Sequence, residues 1–229
     1  HLQGWAVSCA LIGCILGTLI SGALSDRHGR KKLLIFSAIL FLISALGTGA
    51  ANTFTPFILY RILGGIGIGL ASNLSPMYIA EISPAEVRGK FVSINQLTIV
   101  IGILAAQVTN WLIADAMANE ISGVEILNSW NGQTGWRWMF WAEAIPAILF
   151  FSFMWMVPES PRWLARRHQH DKVKVILIKI GGEDYAAKAI VEIEDAIKNE
   201  KEKVRFSSLF RSDIIVVVIL GIVLAAFQQ

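Results

Sequence analysis

Charge is absent from long stretches of this sequence, and cysteine is nearly absent from all of it. The two cysteines, Cys9 and Cys14, lie five apart in one apolar run. That spacing does not stack them on one helix face, and there is no second pair. They read as small apolar residues, which excludes a disulfide framework or a thiolate metal site. Histidine is scarce too. His168 and His170 share the basic stretch "RRHQHDK", which offers two ligands where a tetrahedral metal site needs four. They read as solvated, so no metal is expected. No catalytic triad or pair of catalytic carboxylates stands out, and neither enzyme chemistry, a cofactor nor a nucleic-acid partner is expected. The sequence starts at His1 without an initiator Met or a signal peptide, and its last apolar run, from Ile214, ends at Gln229. The chain is therefore expected to be a piece of a longer multi-pass protein.

What is present is apolar. Hydrophobic residues make up 55% of the 229, and they fall in blocks. Uncharged runs cover Trp5 to Leu24, Leu33 to Ala51, Ile62 to Ala80 and Phe91 to Ala114. Each approaches or exceeds the roughly 20 residues a helix needs to cross about 30 Å of hydrocarbon. A fifth span is expected at about 138 to 157, tolerating one carboxylate, Glu143. Lys and Arg number 20; four lie in 25–32, two in 81–90 and twelve in 159–213. Pairs of spans separate these three segments, so they share one side, which the positive-inside rule makes cytoplasmic. The intervening loops, 52–55 and 114–136, hold only Asp115, Glu120 and Glu125 as charges. The first run then heads inward and the last outward.

Three regions follow: an N-terminal transmembrane bundle over 1–158, a cytoplasmic linker over 159–211, and the start of another span over 212–229. In "VPESPRWL", Ser160 is placed as an N-cap and Pro161 as the first helical residue. Gly181-Gly182 ends one linker helix. The next, from Glu183, opens with acids and closes with lysines, matching the helix dipole. Its Ile190, Ile193 and Ile197 recur on one face. Such a helix can lie on the membrane, pack on a partner, or join a small cytoplasmic bundle.

Two features stand out inside the spans. In "GGIGIGL", Gly64, Gly65, Gly67 and Gly69 superficially match a dinucleotide loop, but no strand precedes them. In a spanning helix such residues let neighbouring backbones approach closely. The other is Arg61, about one turn into an otherwise uncharged helix. A guanidinium at that depth needs a partner or a job, or else it snorkels to the outer interface.

The order of the charged motifs identifies a family. "DRHGRKK" at 26–32 carries D-R-x-G-R-K, and Glu81 is followed by Arg88-Gly89-Lys90. Residues 158–164 read PESPRWL, and the chain ends Gln228-Gln229. With this order and spacing the chain resembles the sugar porter family of the major facilitator superfamily, over essentially its whole length. It looks most like the bacterial D-xylose–proton symporters. The resemblance implies an all-α membrane protein, a bundle in which the spans are helices two to six and the start of seven of twelve. It makes 162–211 the family's intracellular helices, which favours the cytoplasmic bundle.

The same resemblance implies the site. Gln96, Gln228 and Gln229 match sugar-contacting glutamines. A neutral amide suits a ring of hydroxyls because it both donates and accepts, although a lone membrane glutamine also serves as an interhelical tie. Ile99 and Ile103 lie at i+3 and i+7 from Gln96 and would form an apolar wall. At position 103 the enteric xylose symporters have a second glutamine and the facilitative glucose transporters an isoleucine, so pentose and hexose both stay open. Arg61 matches a fourth-helix arginine that faces a first-helix aspartate, here upstream of His1. Separating such a pair changes the carboxyl's affinity for a proton, which couples protonation to conformation. Asp26, Arg30, Glu81, Arg88, Glu159 and Arg162 match a cytoplasmic gate. The expected protein is a monomeric carrier in a bacterial inner membrane, importing a neutral monosaccharide with a proton as co-substrate. Facilitated diffusion and a non-transporting sugar sensor are the alternatives.

Overall fold

A computed structural model describes residues 2–114 and 123–199, with 215, 219 and 220 as isolated positions. Gln228, Gln229, the end of the linker and nearly all of 212–229 lie outside the described residues. The described part is helical, without strands: α1 (Leu2–His28), α2 (Arg30–Ala50), α3 (Phe54–Ile82), α4 (Arg88–Ile113), α5 (Gly123–Asn128), α6 (Trp136–Ala142), α7 (Ala144–Met156), α8 (Pro161–Arg166) and α9 (His170–Asn199). A π-helical turn, Asn131–Gly135, leads into α6. In hydrocarbon every backbone N–H and C=O must be satisfied within the segment, which is why apolar runs of this length become helices. Five stretches are long and apolar enough to span: Gly4–His28, Arg30–Ala50, Phe54–Ile82, Arg88–Ile113 and Asn131–Met156.

Helix α3 is the centre, packed between α1 and α2, with α2 turning its other side to α6 and α7. The glycines explain the close approach. A Cβ on Gly65 or Gly69 would collide with the carbonyl oxygen of Ala10 or Cys14. On α1, Gly13 and Gly17 are pressed equally hard against Ile62 and Ile66. Gly64 and Gly67 face the other way and receive Ser44 and Phe41 of α2. The glycine ribbon thus serves two neighbours. Below it, Leu33, Leu34, Leu40, Leu70, Leu74, Tyr78 and Met154 form a buried cluster joining α2, α3 and α7.

The fifth span begins earlier than the sequence suggests, at Asn131 and not near 138. Its polar start is tolerated because Arg137 is used. The guanidinium donates to Gly49 O (2.7 Å) and Asn52 Oδ1 (3.1 Å) at the outer end of α2, and it stacks on Trp136. The span is also broken. Pro146 has no N–H to give the carbonyl of Ala142, so α6 ends and α7 begins around a single residue, Glu143.

Ser160 caps α8 as expected, its hydroxyl accepting from Trp163 N–H (3.3 Å), with Pro161 first in the helix. α9 is two helices meeting at Gly182, whose φ of 85° and ψ of −178° suit only glycine. The halves fold onto α8 around Leu164, Ala165, Val173, Leu177, Ala186 and Ala189, and Ile190, Ile193 and Ile197 pack against that core. Of the three arrangements open to this amphipathic helix, the structure shows the small bundle.

Candidate functional site

At the end of the bundle that carries the basic loops, Gly29 alone joins α1 to α2, so Asp26 and Arg30 stand one turn apart across a tight corner. Arg30 is 4% exposed. Its Nη2 donates to Glu81 Oε1 (3.0 Å) and its Nη1 to Ser25 O (3.1 Å), with Nη1 also 3.2 Å from Asp26 Oδ1. Its Nε lies 3.0 Å from Glu81 Oε2 without hydrogen-bond geometry, so that approach is purely ionic. Glu81 Oε2 accepts from the Ser160 hydroxyl, which ties α3 to the start of α8.

Glu159 acts differently. Its Oε1 accepts from the backbone N–H of Arg30 and Lys31 (both 3.0 Å) and of Ser160 (2.9 Å). The carboxylate of a distant motif thereby caps the N-terminus of α2, where orphan N–H groups and the helix dipole both favour an anion. Tyr78 O–H donates to Pro158 O (2.6 Å) on the same junction. The structure thus brings Asp26, Arg30, Glu81 and Glu159 into one network. Arg88 and Arg162 line the adjoining cavity, about 570 Å³, beside Asp26, Arg30 and Glu81.

Sequence reasoning missed three members of this cluster. Arg166 Nη1 pairs with Asp26 Oδ1 (3.4 Å), and Glu192 of α9 lines the same cavity. Tyr185 marks where α9 lies: burial pushes its phenol up, Glu86 and Glu192 add to that, and Arg88 opposes it. The second half of α9 borders the cavity beside the end of α3 and the start of α4, with Glu192, Ile193 and Ala196 in its lining. The amphipathic pattern announced a buried face on this helix, but not its target.

The second site is a cavity of about 630 Å³ amid the spans, with walls from α1, α2, α3, α4 and α7. Arg61 and Glu143 are its charged residues; Ile99 and Ile103 line it, with Phe41 and Phe150. Arg61 lies seven residues into α3, about 10 Å from its outer start. Its guanidinium carbon is 5.3 Å from the centre of the Phe140 ring, its buried Nε has no hydrogen-bond partner, and it interacts electrostatically with Glu143. Glu143 sits at the helix break. Its isolation in the fifth span was visible in the sequence; that it lines one cavity with Arg61 was not. Gln96 lies on α4, exposed and outside the cavity's lining. None of α4 is buried, and its main contacts are with α3 and α6. Close by, Asn95 Oδ1 accepts from the Ser75 hydroxyl (3.1 Å), tying α4 to α3.

The whole chain, residues 1–229, matches the family described as "Sugar (and other) transporter". The glucose transport protein of Synechocystis sp. is 43% identical over 231 residues, covering 100% of this chain and 48% of the relative. The D-xylose-proton symporter of Escherichia coli K12 is 40% identical over 246 residues, with coverage of 100% and 48%. The arabinose-proton symporter of Bacillus subtilis is 38% identical over 228 residues, with coverage of 100% and 47%. Among solved structures, the partially occluded inward-open conformation of the E. coli xylose transporter XylE superposes with a TM-score of 0.83 at 39% identity. That match covers 100% of this chain and 52% of XylE. The chain spans about half the length of the relatives it matches.

Proposed function

The chain belongs to the sugar transporter family, with the major facilitator fold of a multi-pass membrane protein, and from that premise we propose that the full-length protein imports a neutral monosaccharide by proton symport. The cavity holding Arg61 and Glu143 carries this reading. A cation and a carboxylate that line one apolar, membrane-depth cavity form a pair whose protonation changes when the helices move. A snorkelling arginine would not be expected to lie on Phe140 beside a carboxylate. The bacterial relatives named as xylose– and arabinose–proton symporters support the substrate class and the co-substrate, and a bacterial inner membrane is the expected location.

In this proposal Ile99 and Ile103 form the apolar wall of the sugar site. Gln96, Gln228 and Gln229 supply hydrogen bonds to hydroxyls. The charged network at Asp26, Arg30, Glu81, Arg88, Glu159 and Arg162 is the cytoplasmic gate, and a monomer suffices. The 1–158 bundle carries the cavity, 159–211 braces its inner end, and 212–229 opens the next span.

The test is transport by the full-length protein in cells, reading sugar-induced alkalinisation of the medium beside counterflow. Arg61→Leu should abolish proton uptake while sugar exchange survives, because exchange needs no net proton movement. Arg61→Lys should retain part of the coupling, since lysine lacks the planar fork. Glu143→Gln should impair coupling as Arg61→Leu does. Proton uptake at the wild-type level in Arg61→Leu overturns symport through this pair, and its absence in the wild type makes the protein a uniporter. Gln96→Ala should weaken sugar binding about 2- to 13-fold, the loss of one neutral hydrogen bond. Unchanged affinity with a lower melting temperature would make Gln96 an interhelical tie.

A further inference from the structure

A third cavity, about 740 Å³, opens where the inner ends of α2 and α7 meet α8 and α9. Its lining is of two chemical kinds: Lys31, Lys32 and Lys172 are basic, and Ile35, Trp155 and Trp163 are apolar. Its depth follows from the helices that build it. Lys31 and Lys32 belong to the first turn of a spanning helix, and Trp155 is the next-to-last residue of another. Both ends face the cytoplasm, so the cavity lies where hydrocarbon gives way to headgroups, the level at which tryptophan and lysine concentrate.

We propose that this cavity binds one anionic phospholipid of the cytoplasmic leaflet, its phosphate among the three lysines and its acyl chains along the apolar residues. One of the lysines is held in place by a neighbouring span. Lys31 Nζ donates one hydrogen bond to Trp155 O (3.0 Å), and an ammonium has two more to give. Two carboxylates also line the cavity, Glu159 and Asp171. Glu159 is already engaged by three backbone N–H groups at the α2 N-terminus, and Asp171 is exposed at the start of α9. The balance therefore favours an anion. The apolar lining continues onto a surface a lipid tail would cover: Phe36 and Ile39 follow Lys32 up the same face of α2, and Trp155 and Met156 are 62% and 82% exposed. A free phosphate could meet the lysines but not the apolar residues that line the same cavity, Ile35, Trp155 and Trp163, which is why the occupant is a lipid. The proposal stands apart from the sugar reading, since its three lysines and its apolar residues take no part in that reading; Glu159 alone is shared with the charged network.

The test is native mass spectrometry of the purified full-length protein, scoring retained phosphatidylglycerol against phosphatidylcholine. Wild type should retain one phosphatidylglycerol preferentially. Lys31→Gln, Lys32→Gln and Lys172→Gln should each lower that preference about five-fold, the effect of one basic residue at a charged surface. Lys188→Gln with Lys198→Gln, on the far part of α9, should leave it unchanged, and millimolar inorganic phosphate should not displace the lipid. A preference unaffected by the three substitutions overturns the proposal, as does equal loss in the α9 control or displacement by phosphate. A second measurement needs no lysine variant. Bimane on Val175→Cys, at the cavity wall with Cys9 and Cys14 replaced by Ala, should be quenched more by brominated phosphatidylglycerol than by brominated phosphatidylcholine. Equal quenching overturns the site.

Discussion

Gly29 and Arg30 show how much of the inner network rests on single residues. Gly29 has a φ of 94° and a ψ of 162°, a region closed to other residues, and a Cβ there would strike the Glu159 carboxylate. Gly29→Ala should therefore cost about 1–3 kcal/mol from backbone strain alone, and more because it displaces the group capping α2. The check is the melting temperature of the full-length protein in detergent, with Gly22→Ala as a control, since nothing lies within 4 Å of a Cβ at Gly22. Arg30→Ala should cost about 3–5 kcal/mol, because it leaves the Glu81 carboxylate, 9% exposed, buried without its cation. If Arg30→Ala melts with the wild type, the pair is not the inner tie described here. The sequence marks these residues by order and charge. What it hides is that Glu159 acts through backbone amides 129 and 128 residues away, a pairing that exists only after α2 and α7 have packed.

At the level of elements, apolar length and turn chemistry made the spans, the Ser160 cap and the Gly182 break readable before any coordinates. Three features were not. The fifth span starts early because Arg137 finds acceptors on another helix, which no window of hydropathy contains. Glu143 was visible as a lone carboxylate, but the cavity it shares with Arg61 exists only once α3 and the fifth span have packed. Gly13 and Gly17 are spaced four apart on α1, yet only the facing glycines of α3 give that spacing meaning. Those facing glycines make a prediction. Gly65→Ala and Gly69→Ala each place a methyl group against an unyielding carbonyl of α1, so the helices must separate. Overpacking of this kind typically costs about 1–3 kcal/mol. Both variants should melt earlier than wild type, whereas Gly4→Ala, with open space around it, should not. Equal melting of all three would mean that α1 and α3 lie farther apart than the structure places them.

For the whole molecule the governing quantity is sidedness, because the proposed gate, the proposed lipid site and the proposed direction of import all presuppose that the loops at 25–32, 81–90 and 159–213 face the cytoplasm. Basic residues crowd those loops, and the outer connections carry almost none. The inner surface of the membrane is negative, so each lysine or arginine held there gains about 1 kcal/mol. The α8–α9 bundle lies on the same side as the first of these loops, since Trp163 Nε1 donates to Asp26 O (3.0 Å) at the end of α1. Two exposed positions report the two sides: Leu127 on the connection before the fifth span and Val191 on α9, 65% and 58% exposed. In full-length protein with Cys9 and Cys14 replaced, a membrane-impermeant maleimide added to intact cells should modify Leu127→Cys and leave Val191→Cys untouched. Permeabilising the cells should expose Val191→Cys to the same reagent without changing the first result. Labelling of Val191→Cys in intact cells would invert the topology, putting the lysine-lined cavity in the outer leaflet and the Arg30–Glu81 network at an outer gate.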